Sequence, residues 1–237
     1  MPHRFKIVWG NDNSIEFWVD GSLEAIHNRA FNEQMRVFLS AYVQPSTADW
    51  VNVSSAPAQP VALFDHFAGS QLDSAKWTAG NWFGSAINVS LVNSWVNPAN
   101  YTYIRSNQLW THKTLEGLVT LRESENTHFG FATTLQSGDQ GVADPHWMIF
   151  TVSNGQVFAR TRLDDGKGEV NTPLEGVRIG FPHLWKVVWR NNSTIEFWVD
   201  GVLKASHTRP FTEQMRVYLS SSAGQTASAE WVRVSEP

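Results

Sequence analysis

The 237-residue sequence contains no cysteine, which excludes disulfide bonds, thiol catalysis and cysteine-based zinc sites. Charged residues make up only 17% of the chain, the net charge is −4, and lysine and arginine form no runs. This balance argues against nucleic acid as a partner. No apolar stretch approaches the roughly 20 residues of a membrane span, so we expect no membrane insertion. The N-terminus also lacks the apolar segment of a signal peptide.

Aromatic residues are abundant, with 12 Trp and 14 Phe, and hydrophobic residues make up 42% of the chain. This composition supplies enough apolar surface for a sizeable core. The polar residues are mainly Ser, Thr, Asn and Gln, with few Lys. We therefore expect an extracellular or cell-surface protein.

One segment occurs twice. Residues His3–Ser40 and His183–Ser220 align without a gap at an offset of 180, with 24 identities in 38 positions. The match resumes at Trp50–Ser54 and Trp231–Ser235. Nothing resembling 61–182 precedes the first copy. We therefore predict a partial repeat at 1–53 holding the last strands of a β-sandwich, a linker at 54–60 and a complete domain at 61–237.

Short alternating segments, separated by Gly, Asn, Asp and Pro, continue through the chain, and no amphipathic helix is evident. Many short strands at this spacing are typical of an antiparallel sandwich or jelly roll. The predicted strands of the N-terminal part are Phe5–Trp9, Ile15–Asp20, Ser22–His27, Met35–Ser40 and Trp50–Val53. Those of the complete domain are Phe64–Phe67, Ile87–Leu91, Tyr101–Arg105, Leu118–Arg122, His128–Thr134, Trp147–Val152, Val157–Arg162, Trp185–Arg190, Ile195–Asp200, Val202–His207, Met215–Ser220 and Trp231–Val234.

Three segments of the complete domain carry a family resemblance: FDHFAGSQLDSAKW from Phe64, GQVFARTRLDDG from Gly155, and HLWKVVWRNNSTIEFWVDGVLKASHT from His183. Together they resemble the concanavalin A-like lectin/glucanase superfamily, and more narrowly the laminin-G-like modules of bacterial extracellular proteins. The resemblance implies an all-β, antiparallel jelly-roll sandwich that binds glycans on the concave face of one sheet. Here an extra N-terminal partial β repeat precedes it.

The resemblance also raises the question of catalysis, because retaining glucanases of this fold carry E-x-D-x-x-E on one strand. Retention needs two carboxyl groups about 5 Å apart. The corresponding strand is expected near Pro145–Val152, PHWMIFTV, which contains no carboxylate. We therefore predict that the chain is not an enzyme. A lyase would instead use His and Tyr with a neutralising Arg, and His128, Arg160, Arg162 and Tyr103 supply those residue types.

Binding residues are predicted from aromatic and hydrogen-bonding side chains, since sugars stack on aromatic rings and their hydroxyl groups pair with polar groups. The candidates are Trp147, Arg160, Arg162, His128, Tyr103 and Trp95. Trp77, Trp185, Trp189 and Trp231 are instead predicted to pack in the core. Calcium is a possible ligand through Asp139, Asp144, Asp164 and Asp165, although turn chemistry also favours Asp at these places.

These observations favour a non-catalytic extracellular module for carbohydrate binding or adhesion, with a polysaccharide or glycan as partner. One alternative is a purely structural repeat that assembles by strand exchange or into a filament. Another is a polysaccharide-active glucanase or lyase. Because the first repeat copy lacks its complementary half within the chain, we also predict self-association through residues 3–53.

Overall fold

The fold is described from a computed structural model of the chain. It describes residues 5–9, 14–20, 22–29, 61–67, 69–84, 86–122, 127–135, 145–164, 168–222 and 226–237. The chain divides into two compact units, Met1–Gln59 and Pro60–Pro237. Each unit is described by itself.

The larger unit consists of two antiparallel sheets. Its strands are β4 (Val61–Asp65), β5 (Trp77–Asn81), β6 (Asn88–Val92), β7 (Trp95–Ala99), β8 (Thr102–Ser106), β9 (Thr114–Thr120), β10 (Thr127–Ala132), β11 (Trp147–Ser153), β12 (Gln156–Arg162), β13 (Glu169–Pro173), β14 (Pro182–Trp189), β15 (Thr194–Val199), β16 (Val202–Thr208), β17 (Arg216–Ser220) and β18 (Ser228–Ser235). One sheet has the order β13-β12-β11-β10-β17-β8-β5, and the other has β16-β15-β14-β9-β18-β7-β6 with β4 beside β18.

The core lies between the two sheets, because alternate residues of most strands are apolar and point to the same side. Phe150 of the first sheet meets two aromatic rings of the second, with centroids 4.7 Å from Trp185 and 5.2 Å from Phe197. Phe129 and Phe150 are fully buried, as is Val187. The prediction of an all-β antiparallel jelly-roll sandwich is confirmed, and the described residues contain no helix.

The N-terminal unit contains a three-stranded sheet, β1 (Phe5–Trp9), β2 (Ser14–Val19) and β3 (Ser22–Asn28), in that order. Its pairing repeats that of β14–β16. Phe5 faces Val19 as Trp185 faces Val199. The register also shifts at the same place, between Phe17 and Trp18 in one sheet and between Phe197 and Trp198 in the other. The described strands of the first copy, β1–β3, thus have the same local structure as β14–β16.

Most predicted strands of the larger unit are present, with ends shifted by a few residues. The sequence did not predict β5, β7 and β13. The four tryptophans predicted to pack in the core are confirmed there, with 0–3% of their surface exposed. The predicted strands Met35–Ser40 and Trp50–Val53 lie outside the described residues. Within the described part of the chain, no helix has the length and apolar character needed to cross a membrane.

Candidate active site

The candidate site lies on the outward face of the seven-stranded sheet, which we call the cleft face. Strand alternation creates it. On β10 and β12, Phe129 and Ala159 enter the core, whereas His128 and Arg160 point to the other side. The strand register then brings residues that are distant in sequence together, because Ser220 of β17 lies beside both His128 and Tyr103.

A cavity of about 400 Å³ opens on the cleft face. It combines aromatic rings with one imidazole, one guanidinium and one carboxylate, a mixture typical of ligand sites. The residues around it include Trp82, Phe83, Tyr101, His128, Trp147, Arg160 and Glu169.

His128 is held at the inner wall of this cavity. Its Nδ1 lies 2.9 Å from Ser220 Oγ, and its ring centroid lies 5.7 Å from that of Trp82. Burial, and to a lesser extent the positive charge of Arg160, lowers the pKa of His128 to about 3. The imidazole is therefore neutral at neutral pH. When Nδ1–H donates to Ser220, Nε2 carries a lone pair able to accept a proton.

Arg160 provides the positive charge of the cavity. Its Nε is buried and has no hydrogen-bond acceptor among the described residues. Glu169 Oε1, on the neighbouring strand β13, lies 3.7 Å from that nitrogen, which is beyond hydrogen-bond distance. The guanidinium is thus in an ion pair that leaves a buried donor available to a bound anion.

Two indole groups flank these charges. The indole N–H groups of Trp82 and Trp147 are buried and find no acceptor within the described structure. The same holds for Nη1 of Arg105, a cleft-face residue of β8 beside Tyr218. Buried donors without partners are rare in folded proteins. Four of the five such groups among the described residues lie on this sheet face, and the fifth, Trp189 Nε1, lies in the core. We therefore take this face as the candidate site.

Tyr103 and Tyr218 pack underneath the cavity. Tyr103 is 7% exposed, and its ring lies 6.2 Å from that of Trp82 and 5.6 Å from that of Tyr218. A side chain on Gly80 of β5 would come within 2.4 Å of the Tyr103 ring, so the glycine makes room for it. The two tyrosines therefore support Trp82.

The structure brings most of the predicted binding residues together. Trp147, Arg160 and His128 line the cavity. Tyr103 lies beneath it, and Arg162 lies beside it, with its guanidinium 5.1 Å from the Trp147 ring. Trp95 is not brought to this face, because β7 belongs to the other sheet and Trp95 alternates with core residue Val96. Binding by the predicted residues remains a prediction.

Sequence reasoning missed several residues of the site: Trp82, Phe83, Tyr101, Glu169, Arg105 and Tyr218. Trp82 and Phe83 follow β5, a strand that the sequence did not predict. Tyr218 is fully buried on the cleft face, although it alternates with the core residues Val217 and Leu219. The Tyr–x–Arg alternation of Tyr103 and Arg105 was a usable signal.

The described residues hold no group of three or more His, Asp or Glu side chains suited to a metal ion. Of the four aspartates considered for calcium, Asp139, Asp144 and Asp165 lie outside the described residues. The backbone N–H of the fourth, Asp164, donates to His146 Nε2 at 3.1 Å. The possible calcium site therefore remains a prediction.

The strand expected to carry the glucanase carboxylates is β11, Trp147–Ser153, which lies centrally in the seven-stranded sheet. It contains no carboxylate, as its sequence WMIFTVS shows. Glu169 is the carboxylate that lines the cavity among the described residues. The described part of the cavity thus lacks the carboxylate pair that hydrolysis with retention requires.

The chain matches no protein-family model. No curated protein matches it either.

Solved structures do resemble this chain. An endo-β-1,3-glucanase from Pyrococcus furiosus is 14% identical over 74% of this chain and 94% of its own, with a TM-score of 0.56. A laminarinase from Flavobacterium sp. UMI-01 is 13% identical, covering 74% of this chain and 100% of its own, with a TM-score of 0.58. Porphyranase B from Zobellia galactanivorans is 18% identical over 76% and 96%, with a TM-score of 0.57.

These neighbours overturn two predictions. The prediction of a non-catalytic binding or adhesion module is wrong, and so is the prediction that the chain is not an enzyme, because the structures it resembles are polysaccharide-active enzymes. The prediction relied on one missing carboxylate motif, which excludes one mechanism but not catalysis by other residues. At 13–18% identity the likeness establishes the fold alone: the larger unit is a jelly-roll sandwich like those of the three structures.

Proposed function

We propose that this protein cleaves an acidic polysaccharide by β-elimination at a uronate residue. The observation that carries the proposal is a buried neutral imidazole and a half-buried guanidinium, with its Nε buried, in one cavity that two tryptophans also line. Such an arrangement can bind a carboxylate and accept a proton next to it.

Arg160 binds the substrate carboxylate in this proposal. Its buried Nε–H can donate a hydrogen bond, and the planar guanidinium group matches the geometry of a carboxylate. Neutralising the carboxylate makes the adjacent C5–H of a uronate more acidic. The substrate carboxylate then either displaces Glu169, which lies 3.7 Å from Arg160 Nε, or binds Arg160 together with it.

His128 moves the proton. Nε2 accepts the proton from C5 while the C4–C5 double bond forms and the C4–O4 bond breaks. The imidazolium then donates this proton to the departing O4, so the histidine is neutral again at the end of the reaction. Burial is the main cause of the low pKa of His128, and the positive charge of Arg160 is the smaller one. A uronate carboxylate paired with Arg160 offsets part of this smaller effect, so the pKa of His128 rises when substrate is bound.

Elimination is favoured over hydrolysis by the residues around the cavity. Hydrolysis requires a pair of carboxyl groups, and Glu169 is the carboxylate that the described lining supplies. Elimination requires a base and a neutralising cation, and both are present. Trp82 and Trp147 offer ring faces to the sugars on either side. The predicted contacts of Arg162 and Tyr103 with substrate belong to this same proposal.

The test is incubation of the purified chain with polygalacturonate, alginate and the neutral glucan laminarin. Elimination creates a conjugated C4=C5 double bond, so ultraviolet absorbance rises together with new reducing ends. We expect this signal from at least one of the two uronate polymers. We expect none from laminarin, which offers no carboxylate to Arg160.

Two variants and two matched controls test the assignment. His128→Ala and Arg160→Gln should each lower turnover by at least about a hundredfold, the scale of one acid–base or electrostatic contribution. His207→Gln and Arg190→Gln remove the same residue types away from the cavity and should leave turnover unchanged. Reducing ends without absorbance would indicate hydrolysis and refute elimination, as would no cleavage of either uronate polymer.

A second candidate function, self-association, is favoured by the apolar face of the N-terminal sheet. Phe5, Ile7 and Trp9 are 73%, 66% and 46% exposed, whereas their counterparts Trp185, Val187 and Trp189 are 0–1% exposed in the sandwich core. Each chain has one 61–182 segment, and strands β14–β16 already complete the sandwich that this segment forms. We propose that the face binds the same face of a second copy in a symmetric dimer.

Light scattering of the full chain tests this proposal. Ile7→Glu places a charge in the proposed interface and should convert a dimer to a monomer. Lys6→Gln, on the opposite side of the same strand, should leave the dimer intact. A wild-type chain that is monomeric at high micromolar concentration would refute the dimer.

An extracellular location and the narrower likeness to laminin-G-like modules belong to the same proposal. A polysaccharide is too large to enter a cell, so an enzyme that cleaves the intact polymer meets its substrate outside the cell. Detection of the native chain in culture medium or on the cell surface would support this location. Its recovery from the cell interior alone would contradict it.

A further inference from the structure

Tyr101 adopts a backbone conformation that is unfavourable for a large side chain. Its φ is 62°, and that of the preceding Asn100 is 54°. Asn tolerates this left-handed region, whereas a bulky residue there is strained. Strained positions of this kind cluster at ligand-binding sites, whereas glycine would fit here without cost.

Three other two-residue connections of the described chain have the same pair of positive φ angles. Glycine is the second residue in two of them, Asn154–Gly155 and Asp200–Gly201. The third is Asn93–Ser94, in the hairpin between β6 and β7, with a φ of 63° at Ser94. Tyr101 is thus the one aromatic residue in this set, and Ser94 provides a matched strained position away from the cavity.

The Tyr101 side chain lies at the cavity with Phe83. Both residues line it, and their rings meet edge to face with centroids 4.7 Å apart. Phe83 is 64% exposed, although large apolar side chains usually avoid water. Hydrogen bonds connect the two segments, since Trp82 N–H donates to Tyr101 O at 3.2 Å and Asn81 Nδ2 donates to Asn100 O at 2.9 Å.

We propose that Tyr101 and Phe83 form an aromatic subsite that stacks on one sugar ring of the polysaccharide, beside the ring that undergoes cleavage. This inference rests on the proposed function, because it assigns a subsite to the same cavity. An exposed aromatic edge-to-face pair presents ring surface to the apolar C–H face of a pyranose. The Tyr101 hydroxyl, which has no hydrogen bond to a described residue, is available to a sugar hydroxyl.

The test compares Tyr101→Gly, Phe83→Ala and the matched control Ser94→Gly. Both glycine variants relieve backbone strain, so the melting temperature should rise by about 2–4 °C in each. KM for the cleaved uronate polymer should rise about three- to tenfold in Tyr101→Gly and Phe83→Ala, with kcat little changed, because the lost contact is with a non-reacting sugar. Ser94→Gly should leave KM unchanged.

A binding measurement separates the subsite from the chemistry. Retardation of the chain in gels containing polygalacturonate or alginate reports affinity without cleavage. Cleavage with KM and retardation unchanged in Tyr101→Gly and Phe83→Ala refutes the subsite and leaves the elimination proposal standing. Retardation that both variants weaken, without any cleavage by the wild type, supports the subsite and refutes elimination. Neither retardation nor cleavage refutes both.

Discussion

Two buried histidines show how single residues set the response of this protein to pH. His207 is 6% exposed, and its ring nitrogens lie 3.0 Å from Thr161 Oγ1 and 2.9 Å from Thr172 Oγ1. Burial, with a smaller effect from Arg209, lowers the pKa of His207 to about 4. His128 has a pKa of about 3 for the same leading reason. Both rings are neutral in the folded protein at neutral pH.

The folded state should therefore lose stability as the pH falls from 7 to 5. The unfolded chain takes up a proton near the ordinary histidine pKa of 6.5, whereas the folded chain does not. Each histidine should lower the free energy of unfolding by about 2 kcal/mol over this interval. Urea unfolding of the wild type and of His207→Gln at the two pH values measures the effect. Equal pH dependence in the two proteins would contradict it.

Gly80 controls the position of Tyr103, since a Cβ at this place would meet the Tyr103 ring at 2.4 Å. Gly80→Ala should therefore destabilise the protein by about 1–3 kcal/mol and reduce turnover by displacing the ring beneath Trp82. In a Tyr103→Ala background the same change should cost much less, because the clash is gone. A double-mutant cycle by thermal unfolding measures the coupling. Additive effects would show that the ring and the glycine are independent.

At the scale of strands, one carboxylate joins three neighbouring strands of the eight-stranded sheet. Glu116 on β9 lies in register between Lys186 on β14 and Arg233 on β18, with contacts of 3.0 Å and 2.5 Å. Burial alone would raise the pKa of Glu116, but the charges of Arg233 and Lys186 outweigh it and lower the pKa below its ordinary value. The ionised form thus stabilises the fold above that value.

Glu116→Gln should lower the free energy of unfolding at pH 7 by about 2 kcal/mol, because two cations lose their partner. The stabilisation by Glu116 falls as the pH drops below about 4.5, so the two proteins should converge in acid. Glu196→Gln is the matched control. Its partner Arg190 is 41% exposed, so the loss should stay under about 1 kcal/mol. Equal losses in the two variants would contradict the assignment.

The strands that sequence alternation predicted are those with one apolar side and one polar side. Val157–Arg162 has this pattern, and it proved to be a strand of the cleft sheet. Strand β13 reads EVNTP at the edge of its sheet. Polar residues and Pro173 are tolerated there because an edge strand has one unpaired side. Alternation therefore gives no signal for such strands, and only pairing in three dimensions reveals them.

At the scale of the whole molecule, the described residues that line the cavity are all residues of the larger unit. All residues named around it lie within Pro60–Pro237. Expression of residues 61–237 alone should therefore retain the melting temperature of the larger unit and the turnover of uronate polymers. Calorimetry and the absorbance assay measure both. Loss of turnover in a well-folded truncated chain would mean that the first 60 residues contribute to the site.

The site could be predicted in part, and the limit has a physical reason. Arg160 and Arg162 share one strand face, which follows from the two-residue period of a strand. The pairing of β10 with β17, and of β17 with β8, joins segments that are far apart in sequence. Nothing local encodes these neighbours, so Tyr218 was missed. Trp95 was grouped with the binding candidates of the cleft face because the sequence of a single strand does not show which sheet the strand joins.

The shared register of β1–β3 and β14–β16 also bears on how the gene for this chain can change. The hairpin β2–β3 matches the hairpin β15–β16 in strand length, pairing and the position of the bulge. A recombination crossover between the two copies therefore preserves an intact hairpin. Unequal exchange would therefore remove or add a segment of 180 residues without a faulty junction. Length variants separated by one whole repeat are the expected products, and each would retain a foldable sequence at the crossover.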